Sequence, residues 1–586
     1  MQETFDWLYQ CSLANQTFGI NLYDIIISEN NILLAYRIIK SNTGSKTAGT
    51  DRQTIRDFTI KNQDEFIKEI RLAMKDYKPQ MVRRVDIPKP NGKTRPLGIP
   101  TMRDRLIQQM IKQVLEPICE AKFYKHSYGF RPNRSTHHAI ARCQFLMNQS
   151  TFHHVVDIDI QGFFDNVNHT KLLKQMYAIG IRDKRVLAII SKMLKAPIVR
   201  QGIPQKGTPQ GAILSPLLSN IVLNDLDQWI ASQWENFPTR HPYTQLNKYV
   251  ALQQTKLKEM YIVRYADDFK IFTKNHKTAW KVFHAVEGYV KAHLKLDISK
   301  EKSKVTNLRR RSSEFLGFEL KVIKKHKKYI ARTSVSGKNK KIIREKIVRY
   351  LKTIQSSPTW QNISLYNSYI LGVHGYYGIA THVNVDFSEL AYSLLYTQYN
   401  HLKNIGKYEI PRSPPEVYRK FYKNKMRTFK IGSTYLYPLA DVKWRMARNF
   451  TQKLCPYTIE GRNLIYQKLK SNIVTELQEL QKLTHETMTL EFGDNRLSKY
   501  SMQHGKCRIT GQFLKAEDIH CHHIIPKYLG GTDRFDNLVI IHKWLHKLIH
   551  AVEPQMIEKY KRPFNLTGKQ IERVNYYREK CNLTSI

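Results

Sequence analysis

Two adjacent carboxylates in the tetrapeptide Tyr265-Ala266-Asp267-Asp268 are the side chains of this chain that most clearly indicate chemistry. They lie between two β-rich runs, residues 260–264 and 269–272, a pattern typical of two strands joined by a turn. Paired aspartates at such a turn can share two divalent cations about 3.5–4 Å apart, which stabilise the attacking and leaving oxygens of a phosphoryl transfer. The pattern therefore indicates nucleotide polymerisation, although a solvated turn is the commoner meaning of an isolated Asp-Asp pair.

A second acidic segment, residues 155–165, could complete such a metal site. Alternation along a strand places Asp157 and Asp159 on one face and apolar side chains on the other. A strand of this kind could lie beside the aspartate turn. Spacing alone does not say which of the two aspartates would be the ligand, and the other would be a solvent-facing strand residue.

Cationic side chains that could bind a triphosphate occur in residues 83–100, where the pattern predicts a strand, an Asn-Gly turn and a second strand. Lys93 and Arg95 are two residues apart in the second strand, so they share one of its faces. The hairpin is therefore a candidate nucleotide-binding element.

The composition of the 586-residue chain fits a polyanionic partner. Lys and Arg number 95 against 49 Asp and Glu, a net charge of +46, which favours binding to nucleic acid through its phosphates. No apolar run approaches the roughly 18 residues of a membrane span, and the acidic N-terminus does not resemble a secretion signal. Seven scattered cysteines form no disulfide framework, which favours a reducing compartment and excludes a disulfide-stapled secreted protein.

Five motif blocks follow one another along the chain, at residues 129–135, 159–169, 207–216, 265–268 and 315–318. In order and spacing they resemble the blocks of group II intron-encoded reverse transcriptases. The resemblance covers roughly residues 30 to 330 and implies an RNA-directed DNA polymerase. It implies that Asp159, Asp267 and Asp268 bind Mg²⁺, and it leaves Asp157 without a catalytic role.

The same resemblance implies contacts with the incoming nucleotide. Phe164, five residues after Asp159, matches the aromatic side chain that in reverse transcriptases excludes a ribose 2′-hydroxyl. Gln210 falls in the block that contacts nucleotide and template, and Lys302 matches a lysine near the leaving pyrophosphate.

Cations recur every few residues from Arg309 to Lys346, which favours an RNA-binding thumb over an ordinary solvated charged face. Residues 366–377 resemble the maturase region of the same family. That region usually carries an Arg and a Trp where this chain has Leu371 and Val373, so the resemblance supports the domain and not the family's detailed intron contacts.

Four histidines and an asparagine near the C-terminus resemble the HNH nuclease motif. His546 and His550 are four residues apart and therefore share one helix face, as metal ligands would. The resemblance implies that these two histidines and His522 hold one divalent metal ion, whose identity is open. It further implies that His523 is the general base and that Asn537 braces the loop or orients His523.

Intron-encoded HNH modules commonly add cysteine pairs that hold a structural zinc ion, and the pattern is broken here. Cys507 is followed by Thr510, and Leu545 stands where another cysteine would precede His546. Cys507 alone cannot build a four-ligand site, and Cys521 is out of pattern. We therefore expect free thiols, no structural zinc, and a weakly held ion at the nuclease site.

The predicted fold is a multidomain α+β protein with right-hand polymerase fingers and palm, an α-helical thumb (maturase domain) and a ββα-metal HNH nuclease. The predicted segments are an N-terminal extension (1–80), fingers and palm (81–330), thumb and maturase domain X (331–440), a basic DNA-binding linker (441–500), the HNH nuclease (501–560) and a C-terminal tail (561–586).

The expected function is splicing and mobility of the protein's own group II intron by target-primed reverse transcription, with intron RNA, target DNA and dNTPs as partners. A splicing-only RNA-binding maturase and a retron-type reverse transcriptase are the alternatives. The intact aspartates argue against the first, and the maturase-like and HNH segments argue against the second. Abundant Lys, Ile, Asn and Tyr indicate an AT-rich genome, either of an organelle (chloroplast or mitochondrion) or of a bacterium, where the protein would be cytoplasmic. The host intron, the target site and the choice between monomer and dimer stay open.

Overall fold

The computed structural model of the chain describes residues 1–58, 60, 62–88, 92, 94–149, 152–423, 425–466, 471–482 and 488–586. It consists of two compact units, Met1–Thr458 and Ile459–Ile586. The boundary between them falls inside the expected linker, residues 441–500. Each unit has buried hydrophobic clusters of its own, as separate domains do.

Helices dominate the first part of the first unit. Thr101 caps α5 (Met102–Glu120) by accepting a hydrogen bond from the Asp104 amide at 3.3 Å. Most of α5 is buried, and α1, α2 and α3 pack against it. The helices are α1 (Gln2–Leu13), α2 (Leu22–Ile26), α3 (Glu29–Ser41), α4 (Gln63–Lys75), α5 (Met102–Glu120), α6 (Thr136–Asn148), α7 (Phe163–Asn166), α8 (His169–Ala178), α9 (Lys184–Leu194), α10 (Ser215–Gln233), α11 (Gln245–Gln253) and α12 (His276–Tyr289).

The hairpin predicted at residues 83–100 consists of β1 (Arg83–Pro88) and β2 (Thr94–Ile99), which pair antiparallel. The expected Asn-Gly turn falls on residues 89–93, most of which lie outside the described residues. Lys93 also lies outside the described residues.

A four-stranded antiparallel sheet in the order β4-β5-β3-β6 lies in the segment predicted to contain the palm and is called the palm sheet below. Its strands are β3 (His154–Ile158), β4 (Met260–Tyr265), β5 (Asp268–Thr273) and β6 (Lys304–Asn307). The register pairs Tyr265 with Asp268, so a two-residue turn, Ala266-Asp267, joins β4 to β5. The strands are rich in β-branched and aromatic residues, and α6, α10 and α12 pack against them.

Residues 129–135 lie directly against that turn. A Cβ atom on Gly129 would lie 2.2 Å from the amide nitrogen of Ala266, so no other residue permits this approach. Asn220 anchors the segment because its side chain donates a hydrogen bond to the Gly129 carbonyl at 2.9 Å. The first of the five sequence blocks therefore supports the turn that carries the paired aspartates.

Arg264 in β4 is fully buried and forms an ion pair with Asp227 of α10 at 2.6 Å. Its guanidinium also donates to the side chain of Asn220 at 2.9 Å and to the carbonyl of Ala266 at 2.8 Å. The network ties α10 to the aspartate turn.

Replacing Arg264 by Leu is expected to lower the free energy of unfolding of the first unit by about 3–5 kcal/mol, because Asp227 would stay buried without its cation. Equilibrium urea unfolding of the full chain checks this. Arg240→Leu, which changes an exposed arginine, is the control. Equal stabilities of the two variants would contradict a role for the buried pair.

A second antiparallel sheet, in the order β7-β8-β9, precedes three long helices. These elements are β7 (Ser313–Phe315), β8 (Phe318–Lys325), β9 (Lys328–Val335), α13 (Gly337–Ser356), α14 (Trp360–Tyr377) and α15 (Val383–Leu402). The helices match the expected helical thumb. Its last part also contains a small sheet that the sequence did not predict: β10 (Lys407–Glu409), β11 (Thr428–Ile431) and β12 (Thr434–Tyr435), with α16 (Glu416–Phe421) between the first two.

The second unit contains an antiparallel strand pair, β13 (Ile519–His523) and β14 (Leu538–His542), followed by α20. Its helices are α17 (Ile459–Tyr466), α18 (Ser471–Lys482), α19 (Leu490–Met502), α20 (Lys543–His550), α21 (Pro554–Lys561) and α22 (Gly568–Lys580). The segment expected to be a tail forms α22, which packs against α20. It is therefore an integral part of the second compact unit.

None of the helices in the described part of the chain combines the length and the apolar character that a membrane crossing requires.

Candidate active sites

A cleft of about 910 Å³ in the first unit brings together most of the residues that the sequence predicted for polymerisation. Its lining includes Arg95, Phe164, Gln210, Lys302, Asp159 and Asp267. These residues come from five separate segments of the chain, so only the fold makes them neighbours.

The register of the palm sheet places the three aspartates at one end of it. β3 pairs with β5 so that Ile158 lies opposite Phe269, and the next residues in that register are Asp159 and Asp268. Asp267 occupies the turn beside them. The three aspartates therefore lie together at that end of the sheet.

Burial, and then repulsion between neighbouring carboxylates, raises the pKa of both Asp267 and Asp268. For Asp267 the causes are burial and then the neighbouring charge of Asp159. Although Asp268 as a residue is exposed, desolvation of its carboxyl and repulsion from Asp157, Asp267 and Asp159 raise its pKa to about 6, against the opposing effect of Lys270. Divalent cations would relieve this repulsion, so the donor set fits the oxygen-ligand chemistry of Mg²⁺.

Lys302 lies at the same carboxylates. Its Nζ atom is 3.0 Å from Oδ2 of Asp159, and both side chains are substantially exposed. An exposed pair of this kind contributes little to stability. Lys302 is therefore free to exchange its carboxylate partner for a phosphate.

The expectation that Asp157 faces solvent is wrong. Asp157 is buried, forms an ion pair with Lys270, and accepts a hydrogen bond from the Ser313 hydroxyl at 2.8 Å. Lys270 donates to the same hydroxyl at 2.7 Å. Strand β3 ends at Ile158, so Asp159 lies beyond the strand at the cleft while Asp157 stays inside the sheet packing.

The β1–β2 hairpin contacts Gln210 at the cleft. Arg95 Nε donates to Gln210 Oε1 at 2.8 Å, and the amide of Gly98 donates to the Gln210 carbonyl at 2.6 Å. Gly211, with φ of +101°, follows and lies close to the Gly98 carbonyl. Arg95 and Gln210 thus form one contiguous polar surface.

Phe164 belongs to α7, lines the cleft and is 8% exposed. Its ring packs edge-on against Phe163, with centroids 5.3 Å apart. The Thr208 amide donates to its carbonyl at 2.7 Å, which holds this turn against residues 207–216. The ring is therefore held rigidly at the cleft wall.

The histidines of the second unit gather between β13 and α20. The ring centroid of His522 lies 5.3 Å from those of both His546 and His550, which are 4.7 Å from each other. Sequence analysis missed His520, whose ring stacks on His546 at 3.5 Å. His520 and His522 are two residues apart, so alternation along β13 puts both on the face toward α20.

His522 is suited to metal binding. Its side chain is 1% exposed, and its Nε2 atom has no hydrogen-bond partner among the described residues. Burial, followed by the charges of His550, His520 and His523, lowers the pKa of His522 to about 3. The neutral ring therefore keeps a lone pair for a cation, as a divalent metal site requires.

His523 is oriented by a residue that sequence analysis did not identify. Its Nε2 atom lies 2.7 Å from Oδ1 of Asp533, and Phe492 stacks on its ring at 5.1 Å. Burial alone would raise the pKa of Asp533, but hydrogen bonds from Thr489, His523 and Lys527 lower it. Because an ionised carboxylate only accepts hydrogen bonds, Nε2 carries the hydrogen and Nδ1 is left as the basic atom.

Asn537 braces the loop rather than orienting His523. Its Oδ1 accepts from the Ile525 amide at 2.9 Å, and its Nδ2 donates to the carbonyls of Ile525 and Thr532, both at 2.9 Å. Of the two alternatives left open for this residue, the hydrogen bonds support the first.

Comparison with known proteins agrees with both sites. Residues 87–320 match the family model for reverse transcriptase (RNA-dependent DNA polymerase), and residues 505–551 match that for HNH endonuclease. The group II intron-encoded protein LtrA of Lactococcus lactis subsp. cremoris is 30% identical over 456 residues, covering 66% of this chain and 74% of that protein. Protein YkfC of Escherichia coli K12 is 32% identical over 312 residues, 50% of this chain and 81% of its own. A putative COX1/OXI3 intron 1 protein of Saccharomyces cerevisiae is 27% identical over 350 residues, 54% of this chain and 41% of its own.

The fold and the two sites thus define an RNA-directed DNA polymerase joined to an HNH DNA endonuclease. More specifically, the chain belongs to the group II intron-encoded proteins, the reverse transcriptase–maturases that carry a C-terminal HNH domain. An RNA partner and nucleic-acid substrates accordingly follow from its family.

Proposed function

We propose that Asp159, Asp267 and Asp268 hold two Mg²⁺ ions at which dNTPs are added to a DNA primer. The observation that carries this proposal is the convergence of the three carboxylates at one end of the palm sheet. When bound, the ions would supply Lewis-acid stabilisation of the attacking and leaving oxygens. The protein's own contribution is to hold three crowded carboxylates in place through the β4–β5 turn, Gly129 and the Arg264 network.

The cleft residues around the carboxylates would bind the nucleotide. Arg95, tied to Gln210, presents a cation to the triphosphate, and Lys302 would move from Asp159 to the leaving pyrophosphate. Phe164 would lie against C2′ of the sugar. Lys93 would join Arg95 in binding the triphosphate, though it lies outside the described residues.

Phe164→Val is expected to increase ribonucleotide incorporation relative to deoxyribonucleotide incorporation by about 10- to 100-fold, because removing a packed ring opens space for a 2′-hydroxyl. Single-nucleotide incorporation with dNTP and NTP pairs measures the ratio. Phe163→Val, which removes the neighbouring buried ring, is the matched control. If both variants discriminate as well as the parent protein does, Phe164 is only a core residue.

In the second unit we propose that Nδ1 of His523 takes a proton from the water that attacks a DNA phosphodiester, with Asp533 holding the ring. His522, His546 and His550 surround the position where a divalent ion would bind the phosphate. That ion would stabilise the charge developing on the phosphate and the leaving 3′ oxygen.

Together the two activities support intron mobility by target-primed reverse transcription. Cleavage of one target strand would release a 3′ hydroxyl, and the polymerase would extend it with the intron RNA as template. Residues 331–440, as thumb and maturase domain X, would hold that RNA, and residues 441–500 would contribute cations to DNA binding. Relatives occur in bacteria and in mitochondria, so a bacterial cytoplasm or an organelle is the proposed location.

The test is a coupled assay in which the purified protein, its spliced intron RNA and an intact DNA duplex of the intron's insertion site are mixed with labelled dNTPs. Labelled cDNA covalently joined to the nicked target strand is the expected product. Label that appears only on pre-nicked duplex would remove the nuclease from the proposal, and label that is absent from both substrates would remove the polymerase.

A further inference from the structure

We infer that Cys581 supplies a thiolate ligand to the nuclease metal ion, so that the site is a mixed histidine–cysteine site for a borderline-soft cation such as Zn²⁺. The inference builds on the proposed nuclease function. It replaces the expectation that histidines alone hold a weakly bound ion. Cys581 follows α22 and lies outside the motif that located the histidines, so nothing in the sequence pattern points to it.

Proximity is the first observation. Within the part of the chain that the structure describes, His522, His550 and Cys581 form a group whose ligand atoms all lie within 4.8 Å of one another. Ligands at about 2.0–2.3 Å from one zinc ion are about 3.3–3.8 Å apart in a tetrahedron, so closure by roughly 1 Å would complete the geometry. Side-chain rotation covers that distance.

The second observation is the unsatisfied nitrogen of His522. A buried polar atom without a partner costs free energy, and native structures rarely leave one without a reason. Nε2 of His522 has no hydrogen-bond partner among the described residues although the side chain is almost fully buried. A cation shared with Cys581 and His550 would remove that cost.

The fold also holds the sulfur in place. Cys581 is 2% exposed, and its amide donates to the carbonyls of Tyr577 at 3.2 Å and Arg578 at 2.9 Å. Arg578 in turn donates to three carbonyls at the end of α20, those of Leu548, Ile549 and Ala551, at 2.7–3.1 Å. The same network therefore positions the thiol and the last turn of α20, which carries His550.

The chemistry of the donor set determines the cation. Thiolate and imidazole select Zn²⁺ or Co²⁺ over Mg²⁺, which prefers oxygen. Binding would deprotonate the thiol and release one proton to the solvent, with formation of one metal–sulfur bond. His546, whose ring centroid lies 5.3 Å from that of His522 and 4.7 Å from that of His550, would be the candidate for the fourth position.

The test is cobalt substitution of the full-length protein, because thiolate coordination to Co²⁺ gives a near-ultraviolet charge-transfer band that imidazole does not give. We expect that band in the parent protein and its loss in Cys581→Ser. Zinc affinity, measured by competition with a chromogenic chelator, should fall in Cys581→Ser by at least the roughly 10- to 100-fold seen when a metal site loses a supporting residue. Cys521→Ser is the matched control, since Cys521 is buried in the same core but points away from His522 along β13.

The outcomes separate the inference from the nuclease assignment. Cobalt bound in the parent protein without the band, or a band that survives Cys581→Ser, would overturn the role of Cys581 and leave the histidine site intact. Cobalt and zinc binding that is unchanged by His522→Ala would overturn the metal site itself. Since the first arm uses the parent protein, it stands whether or not Cys581→Ser folds.

Discussion

Asp267→Asn is expected to reduce Mg²⁺-dependent cDNA synthesis on an RNA template by about 10³-fold or more. Loss of one carboxylate that would hold the ions should remove several kcal/mol of transition-state stabilisation, and each 1.4 kcal/mol or so is about a factor of ten in rate. Asp159→Asn should have the same effect, because Asp159 lies close enough to Asp267 for its charge to raise the pKa of that carboxyl. Primer extension with purified protein measures both.

Binding of RNA should persist in these variants, because the phosphate contacts come from the large excess of Lys and Arg. Asp76→Asn makes the same change of charge at an exposed surface aspartate and is the control. Extension at the parental rate by either active-site variant would remove that aspartate from the metal site. Loss of RNA binding in parallel with loss of synthesis would point to misfolding instead.

The second large effect is expected for His523→Ala, which should reduce DNA nicking by about 10²- to 10⁴-fold through loss of the general base. Reverse transcription on an annealed primer should be unchanged, because the two sites belong to separate compact units. Asp533→Asn should also reduce nicking, since an amide no longer fixes Nε2 of His523 as the protonated nitrogen. Nicking of a labelled target duplex and extension of a pre-annealed primer are measured on the same preparations.

The control for this experiment is His504→Asn. His504 is an exposed histidine of the same unit with φ of +53°, and asparagine tolerates that backbone conformation. Nicking by His523→Ala at the rate of this control would show that another group is the base. Parallel loss of nicking and primer extension would show that the substitution acts on the whole chain.

Much of the polymerase site follows from local sequence. Asp267 and Asp268 stand between two β-rich runs, so the turn and its chemistry can be predicted from the sequence alone. The choice between Asp157 and Asp159 as the metal ligand cannot be predicted in this way, because alternation puts both on one face of a strand. Strand β3 ends between them, and Lys270 from the paired strand β5 neutralises Asp157. Where a strand ends and what lies across from it depend on long-range pairing.

The nuclease site shows the same division more strongly. The motif spacing identifies His522, His523, His546 and His550, because two of them share a helix face and two are adjacent in a strand. Asp533, which determines the basic nitrogen of His523, lies in a loop with no periodic pattern. Cys581 is brought to His522 and His550 only by the packing of α22 on α20.

The sequence by itself determined the class of enzyme, the order of the motifs along the chain and the functional residues that belong to a short motif. These properties depend on residue type and on spacing along one strand, turn or helix. Tertiary structure alone decided the burial of Asp157, the contact of Arg95 with Gln210, the pairing of His523 with Asp533 and the approach of Cys581 to the histidines. Each of these joins segments distant in the chain, and such contacts arise from the packing of whole elements, which local propensity does not encode.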